Sequence, residues 1–257
     1  MGDRPRAAVI GAAAIGVVAG LVAALFMTVA AAPSVEEAIR LEQAAHAHSA
    51  GHAHPEGQEE GDELVSRGVQ RGVGLFGAYA LSGAAFGVLL GSAFLLAARH
   101  RPDPFRRALL CGAVLAGAVT VSPWLKYPPN PPAVGDPDTL ASRQGLYLAV
   151  IVLTAAVGVA AARLARRLVA RGWPEPWRVA AVTAAVTLPL LAAYALLPGA
   201  PGPIDVPAGL LWRFRLASLG GNLVLWAVLV LGFAAAVAGG RARPARPPGA
   251  RTGASVA

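Results

Sequence analysis

The sequence predicts an all-α fold, a polytopic membrane bundle of about six transmembrane helices. Hydrophobic residues make up 56% of the 257 positions and charged residues only 14%, against about a quarter in an ordinary soluble domain. The mean hydropathy is +0.56. Six stretches without Asp, Glu, Lys or Arg are long enough to cross a bilayer, since a helix rising 1.5 Å per residue crosses a core of about 30 Å in roughly 20 residues. Backbone groups in lipid must bond within their own segment, so each stretch is expected to be helical. Such a composition excludes a disordered chain, a disulfide scaffold and most soluble enzymes. The single cysteine, Cys111, excludes an intrachain disulfide and any CxxC site.

Taken in order, the first helix is expected over 7–32. It follows Arg4 and Arg6 as a signal peptide would, but its uncharged run is too long for a signal h-region and reads as a retained helix. An extracytoplasmic loop, 33–71, comes next. In it Ser34 and Glu37 have capping-box spacing, which suggests a short helix from Ser34 to Ala45. The second helix is expected over 72–98, with Gly83, Gly87 and Gly91 at every fourth position; Gly16 and Gly20 repeat that spacing in the first. It clears one helix face of side chains, so a neighbouring helix can approach closely. The third and fourth helices, 106–125 and 144–166, have the shortest uncharged runs, and Arg107 and Arg163 can snorkel to the interface. Between them lies Tyr127-Pro128-Pro129-Asn130-Pro131-Pro132, whose prolines forbid helix and favour a stiff extended path. The fifth helix, 177–198, contains Pro189 and leads into a second Pro/Gly loop over 198–203. The sixth is expected over 216–240. The tail, 241–257, is rich in Arg, Pro, Gly and Ala and is expected to be disordered and cytoplasmic. The membrane part, 1–240, reads as one domain.

The net charge of +8 is accounted for by topology. With the N-terminus inside, fifteen of the 22 basic residues fall on cytoplasmic segments, in the clusters Arg4–Arg6, Arg99–Arg107, Arg163–Arg178 and Arg241–Arg251. Of the acidic residues only Asp3, Asp103 and Glu175 join them. This is the positive-inside pattern of a multi-pass inner (plasma) membrane protein with both termini cytoplasmic. The lipid bilayer is the partner the charges imply, and no nucleic acid is needed to explain them.

Arg71, Arg143 and Arg215 recur at a fixed interval, each at the outer end of an even-numbered helix. Pro102-Asp103-Pro104-Phe105-Arg106 resembles Pro174-Glu175-Pro176-Trp177-Arg178 at the same interval. The pattern suggests three helical hairpins. The three outer-mouth arginines are expected to face lipid phosphates or to pair with the acidic first loop.

Four of the five histidines stand in that loop, as His46-Ala47-His48 and His52-Ala53-His54, followed by Glu56, Glu59, Glu60, Asp62 and Glu63. Imidazole suits borderline divalent ions such as Co, Ni, Cu and Zn, and carboxylates can complete the shell. His46, His48, His52 and His54 are therefore candidate metal ligands. Residues at i and i+2 do not share a helix face, so the doublets suggest extended or turn geometry. Within the membrane, Gln144, Asn222, Pro123 and Pro189 are candidate path residues, as amides or as prolines that free a backbone carbonyl. Thr120 and Ser122 beside Pro123, and Thr183 and Thr187 before Pro189, add hydroxyls. No GxxxxGK[ST], GxSxG or HExxH motif is present, so no enzyme is expected. No resident cofactor is expected either; a divalent metal ion is cargo or ligand.

The helix opening at Ala13 to Leu25, the histidine-bearing loop, Ser122-Pro123-Trp124-Leu125, Pro128-Pro129-Asn130-Pro131, Ala141-Ser142-Arg143-Gln144, and Phe214-Arg215-Leu216-Ala217-Ser218 with Asn222 and Trp226 occur in the order seen in the CbtA family of probable cobalt transporter subunits. The sequence resembles that family from Arg6 to about Gly240. The resemblance implies cobalt uptake linked to cobalamin biosynthesis and a small one-helix, histidine-bearing CbtB-like membrane subunit as partner. The residues alone give only a borderline divalent cation. Two alternatives to transport stay open, a membrane-anchored metal-binding accessory or sensor, and a structural membrane subunit.

Overall fold

The computed structural model describes residues 3–50, 70–97, 103–132, 134–202, 204 and 206–239. Among them seven helices follow in order: α1 Asp3–Ala30, α2 Ala32–Ala50, α3 Leu75–Leu96, α4 Pro104–Lys126, α5 Leu140–Ala170, α6 Glu175–Leu196 and α7 Ala208–Gly239. All except α2 are long and apolar enough to span a membrane, and no strand occurs among the described residues. The chain is thus an all-α, multi-pass membrane bundle. The tail 241–257 lies outside the described residues.

Several helices run past the uncharged stretches that announced them. α5 includes Arg143 at one end and Arg163, Arg166 and Arg167 at the other, and α7 takes in Arg213 and Arg215 before its apolar run. Loss of hydrophobicity marks where a helix leaves lipid, whereas helix ends are set by caps and prolines. At the start of α4, Asp103 accepts a hydrogen bond from the Phe105 N–H at 3.0 Å, with Pro104 next in line. That is an N-cap followed by the proline favoured at the first helical position. Arg106 returns to Asp103 at 3.5 Å, and Arg178 to Glu175 at 3.9 Å at the start of α6, so the two similar motifs both open helices.

The core lies where α1, α3, α4 and α7 meet. Ala12, Ala19 and Ala23 of α1, Leu90 and Phe94 of α3, Ala108 of α4 and Leu225, Trp226, Leu229, Phe233 and Ala234 of α7 are buried together. The glycine stripe does what its spacing predicts. A Cβ on Gly16 would fall on the Gly83 carbonyl, and a Cβ on Gly83 on the Gly16 carbonyl. Backbones this close gain dispersion over their whole contact length, which drives association in lipid, where the hydrophobic effect does not. Phe86 stacks on Trp226 at 5.0 Å, and Phe94 meets Phe233 edge-on at 5.2 Å.

The packing departs from three hairpins. α1 pairs with α3, but α4 packs chiefly on α7, while α5 packs on α6 and on the last turns of α4. α6 and α7 hardly meet, and α6 buries no residue. Side-chain size decides the partner: Gly112 of α4 receives Val230 of α7.

Candidate functional site

The first part of the histidine-bearing segment, Ala32–Ala50, is a helix. α2 leaves α1 after a single turn residue, Ala31, and starts at Ala32, ahead of the expected start at Ser34. Ser34 is buried, and Glu37 reaches across to Arg213 of α7 at 2.7 Å instead of closing a capping box. Ala38 is buried against Val134 and Leu210, with Ile204 and Val206 around them. One ion pair and one apolar cluster therefore clamp α2 to the end of the bundle that also holds both Pro-rich loops.

His46 and His48 sit near the end of α2, so the expected extended or turn geometry does not hold for this doublet. After Pro33 the segment has no Gly or Pro until Gly51, and alanine is frequent in it, so helix propensity carries α2 through the histidines. At about 100° per residue the two positions are about 200° apart around the axis. His52 and His54 lie outside the described residues. Among the described residues no three His, Cys, Asp or Glu side chains come together as a metal site.

The four candidate path residues do not line one conduit. Pro123 is fully buried. Gln144 and Pro189 are exposed on the outer surfaces of α5 and α6. Asn222 is half-buried, and its amide N–H donates to Ser218 of its own helix at 2.9 Å.

Around Pro123 the structure gathers hydroxyls from three helices. A π-helical turn, Gly117–Val121, interrupts α4 just ahead of it. Proline has no N–H, so a carbonyl one turn back goes unpaired; the Tyr147 hydroxyl of α5 donates to Val119 there, at 3.4 Å. The Thr154 hydroxyl donates to Val150 at 2.8 Å and lies 2.9 Å from Ser122 Oγ. Each hydroxyl has one proton, so Ser122 is the donor to Thr154. The Tyr194 hydroxyl of α6 donates to the Ser122 carbonyl, and Trp226 Nε1 donates to Thr120 Oγ1 at 2.8 Å. Tyr147, Thr154 and Tyr194 were not singled out from sequence. The usable signal was the polar side chains facing an orphaned proline carbonyl, but which of them face it depends on helix adjacency. Just beyond α4, the buried Tyr127 hydroxyl donates to Pro198 at 2.8 Å. Burial pushes this phenol above its ordinary value.

Two of the outer-mouth arginines, Arg143 and Arg215, hold loops. Arg143 donates to the Asp136 carbonyl at 3.1 Å, packed against Gly135, whose φ of 102° favours glycine. Arg215 donates to the Pro129 carbonyl at 3.4 Å and to Asn130 Oδ1 at 3.1 Å. Of the first-loop carboxylates, Glu37 pairs with Arg213, and Glu56, Glu59, Glu60, Asp62 and Glu63 lie outside the described residues. Arg71 falls in a π-helical turn, Gln70–Gly74, before α3. Arg143 lies in the first turns of α5 and Arg215 deeper inside α7, so the two do not take matching places at helix starts.

No curated protein and no solved structure matches the chain. The family model described as "Probable cobalt transporter subunit (CbtA)" matches residues 6–238, nearly its whole length. By that match the chain, with six candidate membrane spans, belongs to the CbtA family of probable cobalt transporter subunits.

Proposed function

We propose that the chain is the membrane subunit of a cobalt uptake system that captures divalent metal at His46, His48, His52 and His54 and passes it through the bundle. The family match over 6–238 is the observation that supports this most. The docking of α2 through Ala38, with Glu37–Arg213 beside it, agrees with this, because it tethers the start of the histidine segment to one end of the spans. On a helix, His46 and His48 cannot chelate one ion together; Glu42 stands one turn before His46, and the segment beyond Ala50 supplies the further ligands. Capture then folds that segment onto α2, with imidazole and carboxylate sharing the ion. The positive-inside distribution favours an inner-membrane location with both termini cytoplasmic and α2 outside. A small one-helix CbtB-like subunit is the proposed partner, in keeping with a family described as a subunit.

The test is labelled-cobalt uptake by cells making the chain alone and together with a one-helix histidine protein encoded beside it. Replacing His46, His48, His52 and His54 by alanine is expected to abolish uptake at low cobalt while leaving the protein in the membrane. Unchanged uptake would remove the capture role. The second reading, a non-transporting metal-binding accessory, is favoured by the outward placement of Gln144 and Pro189; it predicts metal binding without uptake under both conditions.

A further inference from the structure

Between α4 and α6 runs a groove of about 510 Å³, lined by Gly117, Val121, Ser122, Leu125, Leu190 and Tyr194, with Leu191 at its rim. Nothing lies within 4 Å of where a Gly117 Cβ would stand, and Leu125 and Leu191 are exposed along it, so the groove opens sideways into the membrane. Its polar lining is already used, since Tyr194 donates to the Ser122 carbonyl and Ser122 to Thr154. What remains is an apolar trough. From Leu125 to Gly117 it follows α4 for about 12 Å, close to the depth of one leaflet's hydrocarbon.

A cation stands at its end. Lys126 Nζ donates to the Tyr194 carbonyl at 2.8 Å and lies 5.8 Å from the centre of the Tyr127 ring. It makes no ion pair among the described residues. An ammonium has three protons to donate, and one at a membrane boundary without a carboxylate is left to seek an anion. The same charge repels a divalent cation, so the groove is poorly suited as a metal path.

We propose that this groove is a phospholipid site, with one acyl chain against Gly117, Val121, Leu190 and Leu191 and an anionic headgroup on Lys126. The charge complementarity at Lys126 selects the headgroup, and the π turn makes the room for the chain. The site would add a lipid-filled contact between α4 and α6, a helix with no fully buried residue. This inference does not depend on the cobalt reading.

The experiment uses the full chain purified in detergent and delipidated. Phosphatidylglycerol and phosphatidylcholine with the same acyl chains are titrated in, and bound lipid is counted by native mass spectrometry. One phosphatidylglycerol is expected to survive activation that strips phosphatidylcholine. Lys126→Gln is expected to weaken its binding about five-fold, as for the loss of one basic residue at an anionic surface. Lys126→Arg should retain it, and Arg171→Gln, a distant exposed arginine, should not change it. Gly117→Leu starts from a clear Cβ position, fills the trough and should also weaken it. Equal retention of the two lipids, or retention in both Lys126→Gln and Gly117→Leu, would overturn the proposal. So would displacement by chainless glycerophosphoglycerol at the same concentration as the lipid. Should Lys126→Gln not fold, loss in Gly117→Leu with retention in Lys126→Arg supports the site, and any other pairing rejects it.

Discussion

Gly83 and Gly117 are both glycines inside membrane spans, yet the structure gives them opposite mutational fates. A Cβ on Gly83 runs into the backbone of α1, whereas one on Gly117 meets nothing within 4 Å. Gly83→Ala is therefore expected to lower stability by about 1–3 kcal/mol, the usual cost of overpacking. Gly117→Ala should raise it by about 0.5–1 kcal/mol by removing helical glycine entropy. Thermal unfolding of the two variants in one detergent checks the contrast; equal midpoints would contradict the close α1–α3 contact. A second pair tests the buried bond from Trp226 to Thr120. A double-mutant cycle of Trp226→Phe and Thr120→Val should return a coupling of about 0.6 kcal/mol and no more than about 1.7 kcal/mol, the range for hydrogen bonds between membrane helices. The role of Gly83 was legible in sequence because a four-residue spacing matches the helical turn. The roles of Thr154 and Tyr194 were not, because a hydroxyl's partner is fixed by which helix stands opposite.

For single elements, α2 departs most from its sequence reading. Ser34 and Glu37 did announce a helix, but the apolar contacts of Ala38 carry its docking, and nothing local in the sequence pairs Ala38 with Leu210 or Val134. The Glu37–Arg213 pair is well exposed, with side chains 38% and 64% accessible, and exposed pairs are worth about 0–1 kcal/mol. Glu37→Gln is thus expected to change global stability by less than about 1 kcal/mol. Ala38→Asp places a carboxylate in the apolar cluster and should release α2 from the bundle. Hydrogen exchange along residues 34–45 is the measurement: near-native protection in the first variant and collapsed protection in the second. The reverse order would assign the docking to the ion pair. Helix ends were poorly legible throughout, since charge-free runs stop at the lipid boundary while α5 and α7 continue into water with their arginines bonded to loops.

At the scale of the whole molecule, the number of spans was legible because bilayer thickness fixes it, while the order of packing was not, because it depends on which small residue receives which large one. The proposed orientation makes two further outcomes measurable. In a Cys111→Ser background, Ala50→Cys should react with an impermeant maleimide in intact spheroplasts; labelling only after lysis would invert the topology. Metal capture needs neutral imidazole, so cobalt uptake should be full above pH 7 and fall as pH drops through about 6.5. A flat profile between pH 5.5 and 7.5 would exclude histidine ligation. The contact between α1 and α7 bears on how the protein is made. α1 and α7 share the core, so the fold closes on a contact between two spans made far apart in time. At about 5–20 residues per second, on the order of ten to forty seconds separate Ala30 from Ala208 at the ribosome. During that wait the face of α1 destined for α7 lies against lipid or the insertion machinery. That face carries Ile15, Phe26 and Met27, apolar side chains that lipid tolerates until α7 presents Gly232, Gly220 and Gly221 to receive them.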